Sequence, residues 1–458
     1  MDIRTQGGET KSQHPSQLRA IRYRFADALN DSLRKIRILW KLVKSGISLR
    51  AAMWKNQNRN RTSVNRLVTR RGAEAVDVTG RFQAREGDNW AETLGVNVAG
   101  YFESEKGVGE AARATLRSLE AVAMPYAVNN LLDASSSDVE KSDYRFSRET
   151  PYGVNLIHVN ANLIRRYARR NRRSMEDRYN IGYWNWELSS FPEEWLDRFS
   201  YLHEVWVPST FSLEAISRIS PIPVVRIPYS IDPNLRSGED CSRAHLGLTS
   251  RTFVFLFYFD FHSYMERKNP LGLITAFRKA FSAKDDVALV IKCSHSKRSS
   301  LALLERACEQ AQNIKFYDAI LTREALNSLL GSCDAYVSLH RSEGFGLTLT
   351  EAMNFGKPVI ATAYSSNVDF MNEGNSFLVN YKLIEIEKDH GPYKKGCQWA
   401  EPDIDHAAEL MRYVCDNRDR AAAIGGQGQR EIRQLLHPSV IGSTIRARVA
   451  EIAHGKVR

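Results

Sequence analysis

The sequence Ser342-Glu343-Gly344-Phe345-Gly346-Leu347-Thr348-Leu349-Thr350-Glu351-Ala352-Met353 decides the fold of this chain. The apolar run before it, residues 335–339, predicts a buried parallel strand, and residues 347–355 predict a helix. Gly344 and Gly346 lie in the turn between them, where glycine lets backbone N–H groups approach a ligand closely. A strand end, a glycine-rich turn and a helix N-terminus together indicate an anion or sugar-nucleotide site. The two carboxylates, eight positions apart, can accept hydrogen bonds from hydroxyl groups.

This stretch resembles the signature of the retaining nucleotide-sugar glycosyltransferases of family 4 (glycosyltransferase group 1), which have the GT-B fold. The family carries two Glu separated by seven residues, Gly-Phe-Gly between them and Lys-Pro-Val-Ile after them, as in residues 357–360. The resemblance implies that Glu343 contacts donor sugar hydroxyls and that Glu351 holds the ribose hydroxyls. The backbone amides that it places on the sugar and diphosphate are those of Phe345, Gly346 and Leu347. For a lone pair of Glu, a helix cap beside a solvated side chain is the alternative.

A second loop, Met265-Glu266-Arg267-Lys268-Asn269-Pro270, is predicted to grip the donor diphosphate. Charge that builds on a leaving diphosphate is stabilised by cations and aimed N–H groups. The resemblance implies that Lys268 is the family lysine of this loop. The family Arg usually stands earlier, in a Gly-Arg-Leu turn, where this chain has Phe259-Asp260-Phe261. Arg267 is the predicted substitute, and a pair of solvated loop cations is the alternative.

The acceptor side is predicted in the first half of the chain. Gly107 and Gly109 follow the first strand, and the resemblance implies that this loop faces the donor diphosphate and the acceptor; an ordinary strand-to-helix turn is the alternative. His158 ends a predicted strand and is a candidate base or acceptor contact. Asn160 is the alternative residue for this acceptor-side role. A lone His on an apolar strand more often has a structural role.

Two further features bear on the acceptor. A strand predicted over residues 181–187 ends in Glu187, which is a candidate acceptor contact. An acceptor with a lipid-linked phosphate would suit a nearby arginine cluster, for which a solvated charged face is the alternative. The cluster consists of Arg165, Arg166, Arg169, Arg170, Arg172 and Arg173.

Bulk composition restricts the class of protein. The 458 residues have room for two or three domains. No apolar run approaches the roughly 18 residues of a transmembrane helix, and the N-terminus lacks the apolar core of a secretory signal. The six cysteines form no CxxC pair, which is typical of a reducing compartment without a zinc site or disulfide framework. We therefore expect a cytoplasmic protein.

The positive charge is concentrated at the N-terminus. Residues 1–71 carry 17 Lys and Arg against 4 Asp and Glu, whereas the rest of this +11 chain is close to neutral. A neutral body argues against a nucleic-acid-binding core. Residues 18–44 predict a basic amphipathic helix, typical of a segment that lies on an anionic membrane surface, so the protein is a candidate peripheral membrane protein. A helix packed on the body or at an oligomer contact is the alternative.

Strands alternate with helices in two series, which predicts an α/β protein with doubly wound parallel sheets. Together with the resemblance, this gives the GT-B fold, in which two Rossmann-like domains face a cleft. The predicted divisions are a basic N-terminal extension (1–90), an acceptor domain (91–232), a nucleotide-sugar domain (233–437) and a C-terminal helix that returns to the acceptor domain (438–458).

The predicted activity is transfer of a hexose from a UDP- or GDP-sugar to a hydroxyl acceptor, with retention. The resemblance extends to bacterial hexosyltransferases that build lipid-linked glycans and surface polysaccharides. No cofactor and no metal ion is expected, because the Asp403-Ile404-Asp405 sequence has the pattern of a helix N-cap. A non-catalytic GT-B partner of another transferase and a GT-B nucleotide-sugar epimerase are the alternatives.

Overall fold

The computed structural model describes residues 94–132, 144–235, 243, 247–308 and 311–455. The predicted extension of residues 1–90, including the basic helix over residues 18–44, lies outside the described residues. All of the described residues belong to one compact unit.

The first domain is built on a six-stranded parallel sheet. Its strands are Val96–Gly100 (β1), Tyr126–Asn130 (β2), Val154–Ile157 (β3), Tyr179–Tyr183 (β4), Glu204–Val207 (β5) and Val224–Arg226 (β6). They are ordered β2-β1-β3-β4-β5-β6. Every residue of β1, β3, β4 and β5 is buried, as expected for parallel strands covered on both faces. The α-helices of this domain are Gly107–Ala121 (α1), Ala161–Arg170 (α2), Arg172–Met175 (α3) and Thr210–Ser217 (α4).

The second domain repeats this architecture. Its parallel strands are Phe253–Asp260 (β7), Val287–Ser294 (β8), Ile314–Asp318 (β9), Ala335–Ser338 (β10), Val359–Thr362 (β11) and Phe377–Val379 (β12), ordered β12-β11-β10-β7-β8-β9. Its helices are Met265–Lys268 (α5), Pro270–Ala280 (α6), Arg298–Ala307 (α7), Arg323–Ser332 (α8), Leu347–Asn354 (α9), Ile404–Asp416 (α10) and Arg418–Leu435 (α11). An antiparallel hairpin follows the sheet, formed by Tyr381–Glu385 (β13) and Gln398–Pro402 (β14).

The strand order reverses beside the first strand of each sheet. In the first sheet the reversal lies between β1 and β3, and in the second it lies between β7 and β10. Doubly wound sheets bind their ligands at the carboxyl ends of the strands at such switch points. The glycine loop and His158 therefore occupy one switch point, and Lys268 and Glu343 occupy the other.

The last helix, Pro438–Ala453 (α12), packs against α1 in the first domain. The two helices approach closely at Gly442, where an added Cβ would lie 2.0 Å from the carbonyl oxygen of Ser118. An ion pair of 2.6 Å joins Arg448 to the fully buried carboxylate of Glu204 on β5. The C-terminal helix is thus held in the first domain by packing and by charge.

The α/β class and the two parallel sheets predicted from the sequence are confirmed. The helix N-cap predicted at Asp403 is also confirmed, since its carboxylate accepts hydrogen bonds from the first N–H groups of α10. The strand predicted over residues 181–187 is shorter than expected and ends at Tyr183. Beyond that point the backbone N–H of Asn185 bonds to the side chain of Asn160 instead of to a neighbouring strand.

Candidate active site

A cleft cavity of about 400 Å³ lies at the carboxyl ends of the two sheets, a size usual for a small-molecule site. Eight of the donor-site residues predicted from the sequence line it. They are Gly107, Arg267, Lys268, Glu343, Phe345, Gly346, Leu347 and Glu351. The fold therefore gathers both predicted loops and both carboxylates around one cavity.

Glu343 is buried between two cations. Its Oε1 lies 2.5 Å from Nζ of Lys268, and its Oε2 lies 3.1 Å from Nη1 of Arg267. Burial raises the pKa of Glu343, but Lys268 and Arg267 outweigh burial and lower this pKa to about 2. Burial lowers the pKa of Lys268, against the attraction of Glu343. Glu343 is therefore an ionised hydrogen-bond acceptor at neutral pH.

Arg267 forms the inner wall of this cluster. Besides its ion pair with Glu343, its guanidinium donates a 2.6 Å hydrogen bond to the carbonyl oxygen of Ser342 and lies 5.9 Å from the ring centre of Tyr393. Its side chain is almost wholly buried. These contacts orient Glu343, and a contact of Arg267 with a diphosphate stays a prediction.

Glu351 lies on α9 and lines the same cleft. Its Oε1 accepts a 2.7 Å hydrogen bond from Nη1 of Arg323, and its Oε2 accepts one from the hydroxyl of Tyr258. Burial raises the pKa of Tyr258 well above its usual value, so the phenol keeps its proton and donates. Both carboxylates of the sequence pattern are thus held in place by donors, and both residues line the cleft.

The turn between the carboxylates has the conformation that its glycines predict. Gly346 has a φ of 94°, in the left-handed region that favours glycine, and α9 begins at the next residue. The first N–H groups of a helix have no partner within it, so the turn offers donors and a positive dipole end to the cavity. The ring of Phe345 packs edge-on against Tyr229 of the first domain, with 5.1 Å between ring centres.

The two glycines of the first-domain loop have different surroundings. Gly107 lines the cleft, and a Cβ there would lie 3.5 Å from Leu347 across it. Gly109 does not line the cavity; a Cβ there would lie 2.2 Å from the carbonyl oxygen of Ser104. Close packing explains the glycine at position 109, and a contact of Gly109 with the donor stays a prediction.

His158 lines a smaller cavity of about 220 Å³, next to the first. Its Nε2 lies 3.0 Å from the hydroxyl of Thr115, and its ring lies 4.6 Å from that of Tyr183. Burial lowers the pKa of His158 to about 3, so the imidazole is neutral and a weak proton acceptor. Asn160 lines both cavities, so the structure leaves both candidates for the acceptor contact in place.

The predicted arginine cluster lies on α2 and α3, and the first turn of α2 lines the smaller cavity. All six of its side chains are exposed on α2 and α3. Asn162 and Leu163, on the first turn of α2, line the cavity itself. Glu187 lines the larger cavity, and its carboxylate accepts a 3.1 Å hydrogen bond from Tyr393 of the second domain. No helix among the described residues is long and apolar enough to cross a membrane.

Several polar residues of the cleft were not predicted from the sequence. Arg323 and Tyr258 bind Glu351, and Lys292 lines the cleft although its side chain is almost wholly buried. Among the described residues, the Lys292 ammonium group has neither a hydrogen bond nor an ion pair. A lysine inside an otherwise apolar strand, Val-Ala-Leu-Val-Ile-Lys-Cys-Ser, was a signal that could have revealed it. Arg323 stands at a helix start, where an arginine is unremarkable.

Comparisons with known proteins agree with this geometry. Residues 243–431 match the family model described as glycosyl transferases group 1. The match lies within the second domain and agrees with the resemblance to group 1 glycosyltransferases drawn from the sequence. No curated protein sequence matches the chain.

Solved structures share the fold at low sequence identity. HepE from Anabaena, in complex with UDP and glucose, is 15% identical, with a TM-score of 0.56 over 78% of this chain and 99% of its own. Sucrose-phosphate synthase from Thermosynechococcus elongatus is 16% identical, with a TM-score of 0.59 over 79% and 99% of the two chains. A glycosyltransferase from Rickettsia africae is 12% identical, with a TM-score of 0.56 over 78% and 97%. The chain thus has the GT-B fold predicted for it.

Proposed function

We propose that this group 1 glycosyltransferase transfers a hexose from a UDP- or GDP-sugar to a hydroxyl acceptor, with retention of the anomeric configuration. One observation carries the proposal: Glu343 and Glu351 lie on one wall of the cleft, on either side of a glycine turn and a helix N-terminus. Lys268 forms an ion pair with Glu343 on the same wall. The wall thus combines hydroxyl acceptors with donors for a diphosphate. HepE, which shares the fold, binds UDP and glucose.

Each part of the donor has a matching group in this arrangement. Glu343 accepts hydrogen bonds from the sugar hydroxyls and Glu351 from the ribose hydroxyls. Lys268 and the first amides of α9 stabilise the negative charge that develops on the diphosphate as it leaves. We propose that these donors are sufficient for the chemical step without a metal ion or a cofactor.

The acceptor attacks from the side of the first domain. The bond from the anomeric carbon to the phosphate oxygen breaks, the bond to the acceptor oxygen forms on the same face, and the acceptor proton passes to the leaving phosphate. His158 positions the acceptor hydroxyl as a neutral side chain, because its lowered pKa makes it a poor base. The proposed mechanism does not include a covalent bond between the sugar and Glu343.

The acceptor is proposed to be a growing glycan, lipid-linked or part of a surface polysaccharide. The exposed arginines of α2 and α3 support this, since α2 begins at the smaller cavity and arginines suit a phosphate group. The basic segment of residues 18–44 supports a peripheral position on the inner face of a membrane. Co-sedimentation with anionic liposomes tests this; binding that is equal and salt-insensitive without residues 1–90 contradicts it.

The activity is tested with a panel of UDP- and GDP-sugars. Each is first screened by thermal shift, since a ligand of the folded state raises the melting temperature. Release of UDP or GDP is then measured for the wild type, Glu343→Gln and Lys268→Met. The matched controls are Glu409→Gln and Lys382→Met, whose side chains are exposed. Loss of a transition-state charge partner lowers kcat by about 100- to 1,000-fold.

The products separate the three candidate functions. A new α-linked glycoside with nucleotide release supports the transferase. Donor binding without turnover in any acceptor mixture indicates a non-catalytic partner subunit. An isomerised nucleotide-sugar indicates an epimerase, and equal rates for Glu343→Gln and Glu409→Gln contradict the proposed site.

A further inference from the structure

We propose that Asp260, His262 and His295 form a binding site for a divalent first-row transition-metal ion at the rim of the cleft. One donor atom from each of the three side chains lies within 4.8 Å of the other two. Asp260 and His262 also line the cleft cavity, so an ion held by them would be open to solvent and to ligands on one side.

The fold brings these residues together at the ends of two neighbouring strands. Asp260 is the last residue of β7, and its register partner is Ser294, the last residue of β8. His262 lies in the single 3₁₀ turn that follows β7, and His295 directly follows β8. The three residues therefore lie at strand ends or within two residues of them, rather than on long loops.

The distances suit a shared ion. Nδ1 of His295 lies 3.0 Å from Oδ2 of Asp260, and Nδ1 of His262 lies 3.4 Å from Oδ1 of the same carboxylate. Ligand atoms bound to one tetrahedral ion at about 2.0–2.1 Å are themselves about 3.3 Å apart. The centres of the two imidazole rings lie 4.4 Å apart, and each ring contacts one oxygen of the Asp260 carboxylate.

A second observation points to a metal ligand. The other ring nitrogen of His295, Nε2, lies 3.3 Å from Oε1 of Glu105, in the loop before α1, at ion-pair distance but without the geometry of a hydrogen bond. Histidines that bind metals almost always donate their second N–H to such a carboxylate, which fixes the tautomer and raises the basicity of the ligating nitrogen. Glu105 belongs to the first domain, so the ion would link the rims of both domains.

The donor set selects the class of ion. Two imidazole nitrogens and one carboxylate favour Fe²⁺, Co²⁺ or Zn²⁺, whereas Mg²⁺ and Ca²⁺ prefer oxygen ligands only. The chemical step proposed above stays with Lys268 and the α9 amides. The ion acts on the geometry of the rim and so on the KM for the donor rather than on kcat.

The site is tested by metal binding alone, without a donor, so its outcome is independent of the proposed activity. Full-length protein is freed of metal with EDTA and titrated with Co²⁺, whose visible ligand-field absorption reports the donor atoms. The variants are Asp260→Asn, His295→Ala and Glu105→Gln, with His454→Ala, an exposed histidine far along the chain, as the control. Circular dichroism confirms that each variant is folded.

We expect one Co²⁺ per chain in the wild type and in His454→Ala, displaced by Zn²⁺ but not by equimolar Mg²⁺. Asp260→Asn and His295→Ala should abolish the site, and Glu105→Gln should weaken it by about 10- to 100-fold, as for other outer carboxylate partners. Equal Co²⁺ binding by all variants, or no binding by the wild type, overturns the proposal. An effect of Asp260→Asn and His295→Ala without one of Glu105→Gln overturns the link to the first domain.

Discussion

At the scale of single residues, the cleft uses burial to fix the charge of each group. Glu343 is ionised because two cations contact it, whereas His158 is neutral because nothing offsets its burial. Lys268 and Arg267 share the carboxylate of Glu343, and the carboxylate of Glu187 also attracts both cations. The side chains that surround each group thus leave Glu343 charged on the donor side of the cleft and His158 neutral on the acceptor side.

The neutral state of His158 predicts a specific pH dependence of stability. Its pKa is about 3 in the folded protein and 6.5 in the unfolded chain. Below pH 6.5 only the unfolded chain takes up this proton, so acidification to pH 4.5 lowers the free energy of unfolding by about 2 kcal/mol. Glu343 adds little in this window, since its lowered pKa destabilises only below its ordinary value of 4.5.

The measurement is urea unfolding of the wild type and His158→Gln between pH 7 and pH 4.5. The variant should lose about 2 kcal/mol less than the wild type over this range. Burial also lowers the pKa of His340, so part of the slope remains in both proteins. His454→Gln, at an exposed position, should match the wild type; an identical slope in His158→Gln would refute the assignment.

At the scale of elements, the sequence predicted the features that depend on a local residue pattern. It missed the contacts that depend on which strands are neighbours in the sheet. The strand, glycine turn and helix around Glu343 were foreseen because apolar run, glycine and helical periodicity follow one another directly. The contacts of Tyr258 on β7 and Arg323 on α8 with Glu351 were not foreseen. Only the order of the strands in the sheet brings these distant residues to Glu351. The strand predicted to reach Glu187 failed because a side-chain hydrogen bond replaces the ladder at Asn185.

The cluster of Asp260, His262 and His295 has the same explanation. The first two are close in sequence, but His295 joins them only because β7 and β8 are neighbours with their ends in register. The short spacing of Asp260 and His262 does not by itself mark a metal site, so the sequence alone predicted no metal ligands. Sheet register is what converts distant residues into a cluster.

The two glycines at the start of α1 give a prediction at this scale. Gly107 and Gly109 both lie in the first turn of α1, and inside helices alanine is favoured over glycine by about 1 kcal/mol. Gly107→Ala should therefore keep or raise the free energy of unfolding, since its Cβ meets only Leu347 at 3.5 Å. Gly109→Ala should lower it by about 1–3 kcal/mol, because its Cβ would overlap backbone carbonyls.

Denaturant unfolding of the two variants checks this pair, and each serves as the control for the other. UDP affinity should show the opposite order: Gly107→Ala narrows the cleft and weakens binding, whereas folded Gly109→Ala binds UDP nearly as the wild type does. Equal stability of the two variants contradicts the packing role of Gly109.

At the scale of the whole molecule, contacts on both sides of the cleft join the domains. On one side, the hydroxyl of Ser209 donates a 2.8 Å hydrogen bond to the carbonyl oxygen of Gly344, and Arg226 forms a 3.0 Å ion pair with Asp369. Near the donor site, Nη2 of Arg323 lies 3.4 Å from Oε2 of Glu110 on α1. Arg323 thus contacts both Glu351, which is proposed to bind the ribose hydroxyls, and Glu110 of the opposite domain.

This double contact predicts that donor binding and domain closure are coupled. Ribose hydroxyls that bind Glu351 compete for its oxygens, and Arg323 then shifts toward Glu110 and draws the domains together. Without the Arg323 side chain the unliganded cleft loses this ion pair and opens. We expect Arg323→Gln to have a larger radius of gyration than the wild type in X-ray scattering without ligand, and to contract more when UDP is added.

Arg412→Gln is the matched control, because Arg412 pairs with Asp285 inside the second domain, 3.3 Å away, and reaches no residue of the first domain through that bond. Its scattering should equal that of the wild type with and without UDP. A typical coupling of about 1–3 kcal/mol between two sites corresponds to a 5- to 150-fold change in affinity, so UDP binding by Arg323→Gln should differ measurably from that of the control. If Arg323→Gln and Arg412→Gln scatter alike in both states, the ion pair with Glu110 does not hold the cleft closed, and closure depends on the hydrogen bonds of Ser209 and Arg226 instead.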